Sequence, residues 1–86
     1  MIWKIYILYS KIHKRTYVGC SQNIANRLKT HNEGKVTSTK RFIPWKVIYT
    51  EEAGTYADAR KKEKYYKSSA GRRKMKAIFD ELKLNK

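Results

Sequence analysis

Two strand-like runs at the start of the sequence constrain the fold more than any other feature. Residues 3–9 and 16–20 are rich in β-branched and aromatic side chains, and the residues between them are mostly polar. This pattern is typical of a β-hairpin. Because side chains alternate along a strand, Tyr6 faces away from Ile5, and a suitable register puts Tyr17 on the same face as Tyr6.

Gly19 supports a site on this hairpin. It lies two residues after Tyr17, on the same predicted face, and a residue without a side chain lets another group approach closely. We therefore predict that Tyr6 and Tyr17, side by side next to Gly19, form the floor of an active site.

A short helix is predicted after the hairpin, from a cap at Ser21 to Gly34. Its apolar residues are spaced four apart, as in a helix with one buried side. Arg27 and His31 have the same spacing, so they project from one face of the helix and can reach the same small group. A solvated helical flank is the alternative interpretation of this pair.

The stretch 34–44 has no clear period and is predicted to be a basic loop. Hydroxyl side chains are mixed in it with Lys35, Lys40 and Arg41. Hydroxyls and cations suit phosphate oxygens, so we predict that this loop contacts a nucleic-acid backbone.

A third strand is predicted after Pro44, where every second residue from Trp45 to Tyr49 is large and apolar. It should pair with the hairpin as a half-buried strand. Glu51 and Glu52 are predicted to lie at its exposed end.

A second helix is predicted from a cap at Thr55 to about Ser69. Its inward face is predicted to carry Tyr56, Ala59, Glu63 and Tyr66. Glu63 is then a carboxylate on the buried side, where it must be paired, hydrogen-bonded or bound to a metal. An ion pair with a neighbouring lysine and a metal site are equally open interpretations.

Gly71 is predicted to end the second helix, and a third helix follows. Its apolar residues recur at the spacing of a buried stripe: Met75, Ile78, Phe79 and Leu82. The residues after it, Leu84 to Lys86, are predicted to form a frayed tail.

Charge is the strongest signal in the composition. The formal net charge is +14, from 21 Lys and Arg against 7 Asp and Glu. A polyanion would relieve the self-repulsion, so nucleic acid is the first partner to consider and an anionic membrane the second. Nine Lys and Arg and one acid fall between Arg60 and Lys76, which predicts a continuous basic surface. The residues assigned to nucleic-acid binding are Lys35, Lys40, Arg41, Lys61, Lys64, Lys67, Arg72 and Arg73.

No apolar run is long enough to span a bilayer, and the first residues lead into a strand rather than a signal peptide. We therefore predict a cytoplasmic protein with no membrane partner. We also predict a single domain over residues 1–86 and no small-molecule cofactor. Cys20 is the sole cysteine and is assigned no chemistry.

The inward polar residues are suited to the hydrolysis of phosphodiester bonds. That reaction needs a base for the attacking water and cations for the charge that develops at phosphorus. Arg27 can donate two parallel hydrogen bonds to a phosphate, and the base would be a tyrosine or His31. Glu63 can hold one hydrated magnesium ion, whereas a two-metal site would need several acids.

These residues resemble the GIY-YIG nuclease superfamily. Its two signature tripeptides are similar to Lys4-Ile5-Tyr6 and Tyr17-Val18-Gly19. Its arginine, histidine and metal-binding glutamate match Arg27, His31 and Glu63. The similarity covers residues 2 to about 79 and is greatest to small stand-alone members. Lys4 departs from the first signature glycine, and Cys20 stands where some members carry a lysine.

The resemblance implies an α/β fold in which a three-stranded antiparallel sheet is flanked by three helices, in the order β-β-α-β-α-α. It implies a single divalent ion, Mg²⁺ or Mn²⁺, on Glu63. It also implies water activation by Tyr17 with help from Tyr6, and transition-state charge held by Arg27. The implied function is a DNA endonuclease with little sequence specificity, acting on branched or nicked DNA in repair or recombination.

Two other functions stay open. The chain could be a non-catalytic nucleic-acid-binding module that keeps the fold and the basic surface. It could also be a ribosome-associated or RNA-structural protein, because charge does not distinguish RNA from DNA.

Overall fold

The computed structural model describes residues 2–82. Its elements, in chain order, are β1 (Trp3–Ser10), β2 (Arg15–Ser21), α1 (Ile24–Asn32), a short 3-10 helix (Lys40–Phe42), β3 (Lys46–Gly54), α2 (Tyr56–Tyr66) and α3 (Ser69–Glu81). The strands form one antiparallel sheet in the order β2-β1-β3, which confirms the predicted fold class. The predicted tail at Leu84–Lys86 lies outside the described residues.

The sheet buries a different set of side chains on each face. On one face Ile5, Ile7 and Tyr9 pack against α2 and α3. On the other face Tyr6 and Leu8 pack against α1 and the loop that follows it. Helices therefore cover both faces, and the alternation along β1 is the predicted one. Within residues 2–82, no helix has both the length and the apolar character needed to cross a bilayer.

The alternation predicted for the third strand is wrong at its centre. The pairing register of β3 shifts between Ile7 and Leu8 of β1, so that Tyr49 pairs with Ile7 while Val47 pairs with Leu8. Such a bulge places one extra residue, Ile48, in the strand. Val47 therefore packs on the α1 side, while Ile48 and Tyr49 both pack on the side of α2 and α3.

Glu51 lies within β3 and not at an exposed strand end, which corrects the prediction. Its side chain is 21% exposed and is surrounded by donors from three elements, β3, α2 and α3. The hydroxyls of Tyr49 and Tyr66 donate to Oε1 at 2.8 and 2.7 Å. The ammonium of Lys62 pairs with Oε2, and that of Lys74 lies 3.8 Å from Oε1. This network joins the sheet to α2 and α3.

We expect the network around Glu51 to make the protein less stable in acid. Burial alone would raise the pKa of Glu51, but hydrogen bonds from Lys62, Tyr66 and Tyr49 outweigh it and lower the pKa from 4.5 to about 2. A carboxyl group whose pKa is lowered by folding stabilises the folded state at pH values above 4.5 and loses this contribution as the pH falls toward 2. The contribution is on the order of 2 kcal/mol, after allowance for the solvent around Lys62.

Urea unfolding measured from pH 2 to pH 7 checks this expectation. The Glu51→Gln variant should be less stable at pH 7 and should depend less on pH than the wild type. Glu52→Gln changes the exposed neighbour and should keep the wild-type profile. The same pH dependence for Glu51→Gln and the wild type would contradict the assignment.

The boundary between α2 and α3 differs from the predicted one. Helix α2 ends at Tyr66, and the Ser68 hydroxyl caps α3 by accepting a hydrogen bond from the backbone N–H of Gly71 at 3.3 Å. Gly71 does not end a helix; it lies in the first turn of α3, where a Cβ atom would be 2.0 Å from the carbonyl oxygen of Tyr65. The glycine is needed because it lets the two helices meet.

Two residues of the predicted buried stripes lie at the surface. Tyr56 is 52% exposed, and its ring contacts the edge of Trp3 at a centroid distance of 4.8 Å. Leu82 is 47% exposed and follows the last residue of α3. Both are at helix ends: Tyr56 is the first residue of α2, and Leu82 is the C-cap of α3. The middle of each stripe, at Ala59 and Met75, is buried.

Candidate active site

The hairpin register places the two tyrosines on one face. Tyr6 pairs with Gly19, and Leu8 pairs with Tyr17, so the rings of Tyr6 and Tyr17 are neighbours at a centroid distance of 6.4 Å. A Cβ atom on Gly19 would lie 2.5 Å from the Tyr6 hydroxyl oxygen and 3.1 Å from the ring of Tyr17. The group that Gly19 admits is therefore the phenol of Tyr6.

Helix α1 crosses this face and begins later than predicted. Its cap is Asn23, whose side chain accepts from the backbone N–H of Asn26 at 3.0 Å. Ser21, the predicted cap, instead accepts from the backbone N–H of Asn23. At the other end, Asn32 accepts from the backbone N–H of Trp45 at 2.6 Å and donates to its carbonyl at 3.0 Å, which ties α1 to the start of β3.

Arg27 and His31 reach the same group, the hydroxyl of Tyr6. His31 Nε2 lies 3.0 Å from that hydroxyl, and the guanidinium of Arg27 is near enough to it to favour the ionised phenol. The imidazole also packs against the ring of Tyr17, at a centroid distance of 5.0 Å. The helical spacing of the two residues thus brings both of them to the tyrosine pair.

Thr39 also belongs to this cluster, although it is one of the loop hydroxyls that were predicted to contact phosphate. Its side chain is buried, and its Oγ1 lies 2.8 Å from His31 Nδ1. The same hydroxyl donates to the carbonyl of Val36 at 3.4 Å. Hydrogen bonds then run in one direction: Tyr6 donates to Nε2 of His31, Nδ1 of His31 donates to Thr39, and Thr39 donates to the carbonyl of Val36. The tautomer is assigned from this network.

Burial determines the protonation states of Tyr6 and His31. It raises the pKa of Tyr6 to about 12, although the neighbouring guanidinium of Arg27 opposes this rise. Burial, together with the charge of Arg27, lowers the pKa of His31 to about 4. At neutral pH Tyr6 therefore keeps its proton and His31 is neutral. Both side chains are fully enclosed, at 1% and 0% exposure, so neither faces solvent.

Tyr17 and Arg27 lie on the solvent side of the cluster. Both are partly exposed, in contrast to Tyr6 and His31. The geometry therefore divides the four residues into an outer pair that solvent can reach and an inner pair that holds the outer pair in place.

Glu63 comes to the same edge of the sheet from the opposite layer. It lies on α2, its side chain is 13% exposed, and the thiol of Cys20 on β2 donates to its Oε1 at 3.5 Å. Lys67 pairs with Oε2 at 2.9 Å and Arg60 with Oε1 at 3.5 Å. Glu63 thus forms the predicted ion pair with a neighbouring lysine and a second one with Arg60, and the metal site stays a prediction.

Lys67 connects Glu63 with the tyrosines. Its ammonium lies 5.8 Å from the centre of the Tyr17 ring while it pairs with Glu63. Contacts therefore run from Arg27 through Tyr6 and Tyr17 to Lys67 and Glu63. The groove beside Glu63 has a volume of about 350 Å³ and is otherwise lined by cationic side chains: Arg60, Lys61, Lys64 and Lys67.

Glu63 suits a metal ion that is held mainly by water. Among residues 2–82, no three His, Cys, Asp or Glu side chains lie close enough together to hold a metal. One carboxylate at the wall of an open groove matches the need of a hydrated magnesium ion, which keeps most of its waters. The two cations on Glu63 must move for such an ion to bind.

The predicted nucleic-acid contacts are all on the surface. All eight side chains are exposed: Lys35, Lys40, Arg41, Lys61, Lys64, Lys67, Arg72 and Arg73. In the loop, Lys35 pairs with Glu33 at 3.2 Å. Cations from the loop after α1 and from α2 and α3 thus stand in solvent, where a phosphate backbone can reach them.

The sequence is similar to that of a known protein family. The family model described as the GIY-YIG catalytic domain matches residues 2–76. A UPF0213 protein of Limosilactobacillus reuteri (strain DSM 20016) is 35% identical over 79 residues, which cover 88% of this chain and 81% of that protein. A UPF0213 protein of Bacillus licheniformis is 38% identical over 63 residues, with 72% and 65% covered. The UPF0213 protein YazA of Bacillus subtilis (strain 168) is 36% identical over 70 residues, with 80% and 69% covered. No solved structure is significantly similar to the chain.

Proposed function

Because the chain belongs to the GIY-YIG family, we propose that it is a divalent-metal-dependent endonuclease that hydrolyses phosphodiester bonds in DNA. The observation that carries this proposal is the continuous set of contacts from Arg27 through the two tyrosines to Lys67 and Glu63. It gathers a phenol, a guanidinium and a carboxylate at one edge of the sheet.

We assign the outer residues to the reacting groups. Tyr17 is placed to activate the attacking water, and Arg27 is placed to donate two parallel hydrogen bonds to the oxygens of the phosphate as its charge grows. Both are partly exposed, so a phosphate in solvent can reach them.

We assign the inner residues to positioning. Tyr6 and His31 are enclosed, and they pack against the ring of Tyr17 and interact electrostatically with Arg27. A neutral imidazole suits this task, since it can accept from Tyr6 and donate to Thr39 at the same time. Neither the Tyr6 phenol nor the His31 ring is assigned to the removal of the water proton.

Glu63 is the residue that would hold a single divalent cation, Mg²⁺ or Mn²⁺. When bound, the cation supplies a positive charge that stabilises the phosphate and the leaving oxygen. The carboxylate would determine the position of that charge, because Glu63 lies within α2 and its side chain accepts a hydrogen bond from the thiol of Cys20.

The proposed substrate is DNA held through its backbone. The exposed cations suit contacts with phosphate oxygens. Such contacts position a protein on DNA but do not distinguish one base from another, so we expect little sequence specificity. We propose that the substrate is branched or nicked DNA and that the protein acts in repair or recombination in the cytoplasm.

A cleavage assay with a matched binding assay tests the proposed function. Supercoiled, nicked and branched DNA should be cut in the presence of Mg²⁺ or Mn²⁺, and a chelator should stop the reaction. The Glu63→Gln variant should bind DNA but cut at least 100-fold more slowly. Cleavage by Glu63→Gln at the wild-type rate would contradict the assignment.

A non-catalytic module for nucleic acid is the second candidate function. The observation that favours it is the pairing of both Glu63 oxygens with cations, which is also how a purely structural carboxylate would be arranged. Binding of DNA without cleavage under any divalent metal would support this candidate, and a preference for structured RNA would point to the ribosome-associated alternative.

The salt dependence of DNA binding should locate the binding surface. Replacing Lys61, Lys64 and Lys67 with glutamine should lower the slope of log affinity against log salt by about one unit for each lost phosphate contact. The control removes three exposed lysines near the other end of the sheet, Lys11, Lys14 and Lys46, and should lower the slope less. Fluorescence anisotropy over a range of salt concentrations measures both, and an unchanged slope in the first triple variant would place DNA elsewhere.

A further inference from the structure

We infer that Lys67 is a displaceable counter-ion of Glu63, so that a phosphate group of DNA and a divalent cation bind to this site cooperatively. The inference rests on the proposed function and deepens it. Lys67 holds the carboxylate when the site is empty of substrate, and it turns to the phosphate when DNA binds.

The position of Lys67 is the first support. Its ammonium lies 2.9 Å from Glu63 Oε2 and 5.8 Å from the centre of the Tyr17 ring. It therefore stands between the carboxylate proposed for the metal and the phenol proposed for the water. A phosphate that is to be hydrolysed there must contact this ammonium or displace it.

The exposure of Lys67 is the second support. Its side chain is 53% exposed, whereas that of Glu63 is 13% exposed. Ion pairs with an exposed lysine contribute little to stability, because water screens the charges and the long side chain loses freedom. The lysine can therefore leave the carboxylate at little cost, while Glu63 stays in place on α2.

Competition for the same oxygens is the third support. An ammonium and a divalent cation that use one carboxylate repel each other and need the same acceptor atoms. Arg60 adds a second cation at 3.5 Å from Oε1. DNA phosphate that attracts Lys67 removes this competition, and by thermodynamic linkage a metal on Glu63 frees Lys67 to bind phosphate.

Metal affinity measured without DNA tests the first half of the inference. We would titrate Mn²⁺ into the protein, with detection by calorimetry or electron paramagnetic resonance. Lys67→Gln should bind Mn²⁺ about fivefold or more tightly than the wild type, as is typical of coupled sites. Lys64→Gln removes an equal charge from the same groove, where Lys64 lies outside ion-pair distance of Glu63, and should change affinity by about twofold or less because solvent and salt screen it.

The binding of a 20-base-pair duplex in excess chelator tests the second half. Glu63→Gln frees Lys67 and Arg60 and should bind this duplex more tightly than the wild type does. Asp80→Asn removes an equal negative charge from an exposed position on α3 and should have a smaller effect. Circular dichroism of each variant checks that the fold is retained.

The outcomes separate this inference from the proposed function. If Lys67→Gln binds Mn²⁺ no more tightly than the wild type while Glu63→Gln abolishes binding, the counter-ion role of Lys67 is wrong and the metal site stands. If Glu63→Gln binds Mn²⁺ like the wild type, both the metal site and the inference are wrong. Tighter Mn²⁺ binding by Lys67→Gln together with tighter DNA binding by Glu63→Gln supports the cooperative site.

Discussion

A Tyr17→Phe variant is expected to bind DNA like the wild type and to cut it about 10²- to 10⁴-fold more slowly, the usual effect of losing a group that transfers a proton. The change removes one oxygen atom from a partly exposed side chain and keeps the ring that packs against His31. Stability should therefore change little, and the loss should appear in turnover and not in affinity.

Tyr56→Phe is a suitable control for this prediction. Tyr56 is 52% exposed and packs against Trp3, away from the tyrosine pair on the other side of the sheet. Its phenylalanine variant should cut DNA at the wild-type rate. Single-turnover cleavage with saturating DNA measures the two variants, and a Tyr17→Phe rate within about threefold of the wild type would rule out the assigned role of its hydroxyl.

Gly71→Ala is expected to destabilise the protein by about 3 kcal/mol, at the upper end of the usual cost of overpacking. The new Cβ atom would lie 2.0 Å from the carbonyl oxygen of Tyr65 and 2.4 Å from the Cα atom of Tyr66. These are backbone atoms, so no side-chain rotation relieves the clash, and α3 must shift away from the end of α2. The shift also disturbs Tyr66, which donates to Glu51.

Helix propensity alone predicts the opposite sign for this variant. In an exposed helix interior, alanine is favoured over glycine by about 1 kcal/mol. Ala77→Gly, at an exposed position of α3, should show that ordinary cost and serves as the control. Urea unfolding of both variants gives the two free energies, and a Gly71→Ala protein as stable as the wild type would show that the helices do not meet as described.

The hairpin shows how much of the site could be predicted from local patterns. Alternation along β1 separates Tyr6 from Ile5, and the observed register puts Tyr17 with Tyr6. The spacing of Arg27 and His31 likewise predicts that both reach one small group, which is the Tyr6 hydroxyl. These features could be predicted because the geometry of a single strand or helix sets the direction in which each side chain leaves the backbone.

The parts that could not be predicted depend on contacts between distant segments. Thr39 looked like one of several loop hydroxyls, and nothing near it in the sequence indicates that it meets His31. Glu51 looked like a strand end because its partners, Lys62 and Tyr66, come from a helix that follows. The bulge at Ile48 also has no local signal, since it arises from the way β3 pairs with β1.

For this protein, the sequence alone was sufficient for the order of the elements, the two faces of the hairpin, the basic surface and the residues that resemble a nuclease family. Only the tertiary structure decided that Tyr6 and His31 are enclosed, that Gly71 joins two helices, and that Lys67 lies between Glu63 and Tyr17. The physical reason is that periodicity determines the side from which a residue projects, whereas its burial and its partners depend on which other element packs there.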